Sequence, residues 1–352
     1  MKILYGIQGT GNGHIMRARE VIPALQKKAE VDVLISGIQN SLPVPFSVNY
    51  RLRGLSFVFS KKGGVDFLRT YRQTKSLQFL NDVRELPLEK YDLIIQDFEP
   101  TIAWAGRLRN TPVVALSHQS AVLHEKAPQP KVNDPFGKQI LKNYAPAKQA
   151  YGFHFMAYGQ NIFTPVIRET VRKAKPTVKN HYTVYLPSYH DNYLVPFLSG
   201  FKDIYWQVFS PFANREYSYG KLKVFPVSQE KFLQSMASAT GVLCGAGFET
   251  PAEALFLKKK LLVVPMKNQY EQQCNAAALQ QMGVTVIKTL KLKEKPAIRH
   301  WLTADQNINV YYPDQTALIL SQIIEENVNP PNSYKRRANC MNVQRWKAKR
   351  KI

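Results

Sequence analysis

Three short stretches carry residue types whose spacing could do chemistry. The first, GTGNGHIMRA at 9–18, joins a strand-like run to a helix-like one and sets His14 beside a turn of Gly9, Gly11, Asn12 and Gly13. The second, GAGFETPAEA at 245–254, is another glycine turn between strand and helix signals. Gly245 and Gly247 let the backbone approach a diphosphate, and the helix that follows offers unpaired N–H groups and the positive end of its dipole. Pro251 suits the start of that helix. Glu253, a little further in, is within reach of two ribose hydroxyls; a first-turn carboxylate favoured by the dipole is the other reading of it. The third, YEQQCNAA at 270–277, pairs Glu271 with Gln272 and places Asn275 shortly after. A carboxylate beside an amide supplies the acceptors and donors that vicinal sugar hydroxyls need.

The first turn is the usual place to look for a dinucleotide, and here it fails the requirements. That fingerprint needs G-x-G-x-x-G after the first strand and an acidic residue closing the second strand, to bond the ribose. The spacing is instead Gly9-x-Gly11-x-Gly13, and the second strand ends Leu34-Ile35-Ser36-Gly37 without an acid. The nucleotide is therefore expected at the downstream turn.

These stretches need a scaffold that repeats. KILYGIQG (2–9), VDVLISG (31–37), YDLIIQD (91–97) and TPVVALS (111–117) are short apolar strands, and helical periodicity over 14–29 recurs through Ile15, Ala18, Val21, Ile22 and Leu25. Apolar strands alternating with helices imply a parallel sheet covered on both faces. A Pro-rich basic stretch (125–138) follows, and then more helix to about 162. A second alternation occupies YTVYLPS (182–188), DIYWQVFS (203–210), KLKVFPV (221–227), GVLCGAG (241–247), LLVVPM (261–266) and TVIKT (285–289). The expected organisation is an α/β first domain over 1–162, a charged linker over 163–181 and an α/β second domain over 182–310. An amphipathic helix (311–332) and a basic tail (333–352) complete it.

At 352 residues the chain is long enough for two such domains, and the 48 Lys+Arg against 25 Asp+Glu give a formal net charge of +23, which admits polyanions or anionic membrane as partners. No nucleic-acid reading motif accompanies the charge, so nucleic acid is not expected. Cys244, Cys274 and Cys340 show neither zinc spacing nor the even count of a disulfide framework, which fits a reducing cytoplasm. The opening residues read as a buried first strand and not as a signal peptide, and no uncharged apolar run is long enough to span a membrane. Any membrane contact is expected to be peripheral.

The stretch 241–283 resembles the nucleotide-sugar motif of GT-B glycosyltransferases. It is similar both to the UDP-glycosyltransferase superfamily and to the peptidoglycan N-acetylglucosaminyltransferase that acts on a polyprenyl-linked acceptor. In that pattern a glycine turn opens a helix bearing a ribose-binding Glu; a strand ending in Pro, an acid–Gln pair and Asn-Ala follow. The matching residues are Gly245, Gly247, Glu253, Pro265, Glu271-Gln272 and Asn275-Ala276. GTGNGH resembles the family's acceptor-side glycine loop, and TPVVALSHQSAVL (111–123) its strand and His-containing acceptor loop. The likeness covers about residues 1–290. Two departures stand out: Leu186-Pro187-Ser188 replaces a Gly-Gly-Ser turn, and Glu271 stands where an Asp is usual.

The resemblance implies two Rossmann-like domains facing each other across a cleft, acceptor on the first and donor on the second. It implies an inverting, metal-independent transfer from a nucleotide sugar, UDP-linked, with no further cofactor. His14 is then the general base and Asp97 its orienting carboxylate. Ser188, Gly245, Gly247, Phe248, Glu253, Glu271, Gln272 and Asn275 make up the donor side. Gly11, Asn12, Gly13, His118 and Gln119 make up the acceptor side, although His118 reads equally as a satisfied loop histidine. The acceptor is a lipid-linked glycan precursor or a small molecule. Basic and aromatic residues interleaved over 56–80 (Lys61, Lys62, Arg69, Arg72 and Lys75 among Phe57, Phe59, Phe67, Leu68 and Tyr71) suit an anionic lipid surface, or else the solvated face of an ordinary helix. The tail with Trp346 carries the same pair of readings. Two other functions share these features: a nucleotide-sugar epimerase on the same scaffold, and a non-enzymatic polyanion-binding protein.

Overall fold

The computed structural model describes residues 1–10, 12–37, 44–55, 76–131 and 134–328. Gly11, the stretch 56–75 and the basic tail with Trp346 and Cys340 lie outside the described residues. Two α/β lobes follow one another along the chain, each built on a sheet of seven described strands.

The first sheet runs in the order β3-β2-β1-β4-β5-β6-β7. Its strands are β1 (Lys2–Gln8), β2 (Glu30–Ser36), β3 (Tyr50–Leu52), β4 (Leu93–Asp97), β5 (Val114–Ser117), β6 (Gln149–Phe153) and β7 (Ile162–Phe163). Every described pairing in it is parallel. Alternation along β1 shows why the strand is apolar throughout. Ile3, Tyr5 and Ile7 enter one buried cluster, while Leu4 enters another with Leu34, Ile94 and Ile102 on the opposite face.

The second sheet runs β10-β11-β9-β8-β12-β13-β14. Its strands are β8 (Tyr182–Tyr185), β9 (Trp206–Ser210), β10 (Tyr217–Tyr219), β11 (Leu222–Pro226), β12 (Gly241–Gly245), β13 (Lys260–Val264) and β14 (Thr285–Val286). Only β10 pairs antiparallel, at the edge. Trp206, Trp301 and Tyr182 fill the outer face.

The cluster that holds Ile3, Tyr5 and Ile7 continues through Phe153 and Phe155 to Phe248, Cys244 and Val263, so the two lobes share buried apolar surface. The helix Thr316–Val328 returns the chain to the first lobe. Its Ile319, Leu320 and Ile323 join that cluster, and its Glu326 accepts a hydrogen bond from the Tyr151 hydroxyl of β6.

The structure departs from the sequence expectation after the Pro-rich stretch. Helix ends at Tyr144, and the expected helical run to 162 instead contains β6 and β7. The residues of β6, QAYGF, have too little apolar alternation to declare a strand. Pairing with β5 and a glycine decide it. A Cβ on Gly152 would lie 2.6 Å from the Ala121 backbone nitrogen and 2.7 Å from the Ala121 Cβ, so only glycine lets the helix His118–Val122 lie against β6. Gly152→Ala is expected to lower unfolding stability by about 1–3 kcal/mol, read as a reduced midpoint in urea with an unchanged slope.

Candidate active site

In open parallel sheets, ligands sit beyond the carboxyl ends of the strands, where the strand order reverses direction. The first sheet reverses between β1 and β4, the second between β8 and β12. From the first reversal come the turn after Gln8, with the helix Gly13–Gln26 carrying His14, and Asp97 at the end of β4. From the second come the turn holding Ser188 and the Gly245–Phe248 turn with its helix Glu249–Phe256. Hydrogen bonds link the two sets directly, so the carboxyl edges of the sheets oppose each other.

His14 Nδ1 lies 2.8 Å from Asp97 Oδ1, and Nε2 lies 3.4 Å from the Gln119 amide nitrogen. With Nδ1–H donated to Asp97, Nε2 accepts from Gln119 and is the nitrogen that can take a proton; Arg17 Nη2, 3.1 Å from Nδ1, then donates to Asp97 and not to the ring. Asp97 is fully buried. Burial would raise its carboxyl, but the Arg17 guanidinium and His14 more than offset that and hold it below the usual carboxylate range. Arg17 donates from Nε to Asp97 Oδ2 at 2.9 Å and from Nη2 to Oδ1 at 2.8 Å. Its Nη1 donates across the lobes to Glu249 Oε1 at 2.8 Å. Gly13 makes room for that carboxylate, since a Cβ there would lie 2.5 Å from Glu249 Oε2.

The remaining expected residues meet across the same junction. Gln119 donates to Glu271 Oε2 at 3.0 Å, and burial holds the Glu271 carboxyl above its ordinary value, partly offset by His14 and Gln119. Each ring nitrogen of His118 has an oxygen at 2.7 Å, the Phe153 carbonyl at Nδ1 and Asn275 Oδ1 at Nε2. The ring stacks on Phe248 with centroids 3.9 Å apart, and burial pushes it down to about 3. Both neighbours are acceptors, so the neutral ring with its single N–H donates to only one of them, while Phe248 stacks on its face. Asn275 also donates to the Ala246 carbonyl at 3.1 Å and so braces the glycine turn from behind. Gln272 Oε1 accepts from the Met266 N–H at 2.9 Å and lies on the Gly245 side of that loop.

Glu253 is buried, with both oxygens held by Arg168, at 2.5 Å from Nε and 2.7 Å from Nη2. The pair lines a crevice of about 90 Å³ with Asn12, Tyr185, Phe232, Glu249 and Thr250. Ser188 lies half-buried in the turn after β8. Gly247 has no protein atom within 4 Å of where a Cβ would sit, and the nearest at Gly245 is 3.8 Å away. The chain itself does not demand glycine at either position.

Arg17, Glu249 and Arg168 were not anticipated. The first had a visible signal: helical spacing puts Arg17 on the stripe of Val21, four residues on, and a charge on an apolar stripe needs a buried partner. Nothing local marks the other two.

Two α/β lobes thus oppose a histidine–aspartate pair to a glycine turn and buried carboxylates. The family described as glycosyl transferase family 1 matches residues 1–304, and the chain belongs to it. It is a glycosyltransferase, and its fold is GT-B. Among solved structures it is similar to MurG of Acinetobacter baumannii (15% identity, 92% of this chain and 100% of that one, TM-score 0.54). It is similar to the spinosyn forosaminyltransferase SpnP (14%, 97% and 99%, 0.55). A third is UGT89C1 of Arabidopsis thaliana complexed with UDP (13%, 96% and 97%, 0.54). No curated protein matches. Among the described residues no helix is long and apolar enough to cross a membrane.

Arg168→Met leaves the Glu253 carboxylate buried without its cation, at an expected cost of about 3–5 kcal/mol near neutral pH. Burial already holds Glu253 above its ordinary value against the pull of Arg168, and without the arginine it stands higher still. A carboxyl raised on folding loses stability as pH rises through its folded value and regains it in acid. The deficit of Arg168→Met against the parent is therefore expected to shrink as pH falls, in denaturation midpoints taken across pH.

Proposed function

We propose that this glycosyltransferase moves a sugar from a UDP-linked donor to a hydroxyl acceptor with inversion and without a metal. The observation that carries the reading is the joining of the two switch points: His14 and Asp97 from one lobe are bound through Arg17 to Glu249, at the mouth of the Gly245–Glu253 turn of the other. The donor diphosphate lies against Gly245 and Gly247, where no protein atom crowds the backbone, with the Ser188 turn on its other side. The nucleoside enters the crevice lined by Tyr185, Phe232 and Glu253, whose carboxylate takes the ribose hydroxyls by exchanging out of its pair with Arg168. Glu271 and Gln272 hold the sugar.

The acceptor hydroxyl approaches between His14 and Gln119. Gln119 Oε1 is buried and has no hydrogen-bond donor among the described residues, while its amide nitrogen is fixed by Glu271. A second hydroxyl of the substrate, not the one that reacts, can donate to that oxygen. His14 Nε2 takes the hydroxyl proton as the new glycosidic bond forms, and Asp97 stabilises the resulting imidazolium. The diphosphate leaves against backbone N–H groups at the start of the Glu249–Phe256 helix. Attack from the face opposite the leaving group inverts the anomeric centre.

We assign the acceptor to a lipid-linked envelope glycan precursor or a small hydroxylated molecule, and the site of action to the cytoplasmic face of the membrane. The support is the basic and aromatic composition of 56–80, most of it outside the described residues, together with the net charge of +23.

A panel of UDP-, GDP- and dTDP-sugars should raise the melting temperature for the UDP series. UDP release from the stabilising donor is then expected to fall about 10²–10⁴-fold in His14→Ala, with UDP affinity kept in calorimetry. Glu253→Ala should weaken UDP binding instead. Unimpaired turnover in His14→Ala ends the general-base assignment, and stabilisation by the GDP or dTDP series in place of the UDP series overturns the donor assignment.

A further inference from the structure

We infer that the flank of the second lobe from Lys288 to Arg299, with Tyr193 beside it, is a docking surface for an anionic lipid bilayer. The inference rests on the membrane site of action proposed above and gives the second lobe its own part in it.

The chain leaves the carboxyl edge of the second sheet after β14 and reaches the helix Asp191–Ser199 before it turns into the helix Lys295–Thr303. There the Tyr193 hydroxyl donates to the Leu290 carbonyl, and the Leu290 N–H donates to the Tyr189 hydroxyl at 3.3 Å. Leu290 and Ile298 are buried in the core of that lobe. The flank is therefore anchored beside the turn that carries Ser188, at the edge of the sheet where the donor residues stand.

Leu292 does the opposite of its apolar neighbours. It is 74% exposed and opens a single short turn, Leu292–Glu294, between exposed Lys291 and Lys293. Tyr193 is 46% exposed. From 288 to 299 the chain holds five cations, Lys288, Lys291, Lys293, Lys295 and Arg299, against one acid, Glu294. None of the five forms an ion pair among the described residues, whereas Lys2, Lys173, Lys223 and Lys231 elsewhere all meet carboxylates. The helix packed beside them has one acid, Asp191, which is buried and turned to Ser210 and Tyr217. Lys295 rests over the rings of Phe197 and Phe201, each 5.8 Å away, and Arg299 over Phe201 at 5.7 Å, which holds both heads on this side.

Unanswered cations draw phosphate-bearing surfaces, and each is worth about a fivefold gain in partitioning to an anionic membrane. Phosphates alone do not account for Leu292, whose side chain stays in water against a soluble polyanion or a nucleic-acid backbone. A bilayer answers both. The leucine enters the acyl boundary, the lysine stems lie along it with their ammonium groups at the headgroups, and the tyrosine sits at the interface.

The test is sedimentation of the full chain, at low salt, with vesicles of phosphatidylcholine alone and of an equal mixture with phosphatidylglycerol. Binding is expected to the mixed vesicles only. Lys291→Gln with Lys293→Gln is expected to weaken it about 10–30-fold, and Leu292→Asn about 3–10-fold. Lys173→Gln with Lys175→Gln removes the same charge from the opposite face of the second sheet, beside Gln207 and Lys223. That control should change binding by less than about threefold. Urea midpoints matching the parent in all three variants keep folding out of the comparison. An equal loss in the control makes the effect one of net charge and overturns the surface, as does unchanged binding in either flank variant. A parent that binds beside unchanged flank variants removes this inference alone. A parent that ignores the mixed vesicles overturns the membrane site of action as well.

Discussion

A guanidinium hidden from water must have its charge answered by the protein, and the Arg17 guanidinium is answered from two lobes. Its Nε and Nη2 are spent on Asp97 and its Nη1 on Glu249, residues that stand 80 and 232 positions away along the chain. Charge-assisted bonds of this kind are short and directional, and a buried cation that loses a partner is costly. The orientation of the lobes and the place of the His14–Asp97 pair are therefore fixed together. Around this point gather Gln119 with Glu271, His118 with Asn275 and Arg168 with Glu253. Polar groups from one carboxyl edge satisfy those of the other.

These contacts explain why the residues of the two carboxyl edges are both assembled and mutually engaged. On the proposed reading, a nucleotide that enters exchanges bonds rather than filling open space: ribose hydroxyls for Arg168 at Glu253, a substrate hydroxyl at Gln119 Oε1. Such exchange costs less than desolvating free carboxylates, because the partners released are themselves available to the ligand. The apolar part of the interface is not exchanged. Phe248 stacked on His118 and the shared cluster through Phe153 and Phe155 keep the lobes in register.

The sequence made the scaffold legible where burial on both faces forces an unbroken apolar strand, as in KILYGIQ and KLLVV. It failed at strands that need neighbours to exist. QAYGF is paired by β5 and wedged by a glycine contact, and YSY is an exposed edge strand. At the site, glycine turns and the carboxylate–amide pair could be read because their chemistry is local. Arg17 could have been read from its place on an apolar stripe. Glu249 and Arg168 could not, since each draws its meaning from a residue far away in the chain. In a protein so rich in Lys and Arg, one more arginine in a linker reads as solvated charge. Phe248 and Asn275, placed by resemblance among the donor contacts, touch His118 in this structure, a pairing no local pattern announces.

The central claim is that the nucleotide bound at the Gly245–Glu253 turn faces the His14 imidazole across the junction of the lobes. Nitrogen-edited NMR of the histidine side chains, with His14 assigned through His14→Ala, measures this most directly. Titration with UDP is expected to shift the His14 ring signals in step with binding, while His300, on the helix Lys295–Thr303, stays put. Saturable UDP binding that leaves the His14 ring signals unchanged would contradict the account.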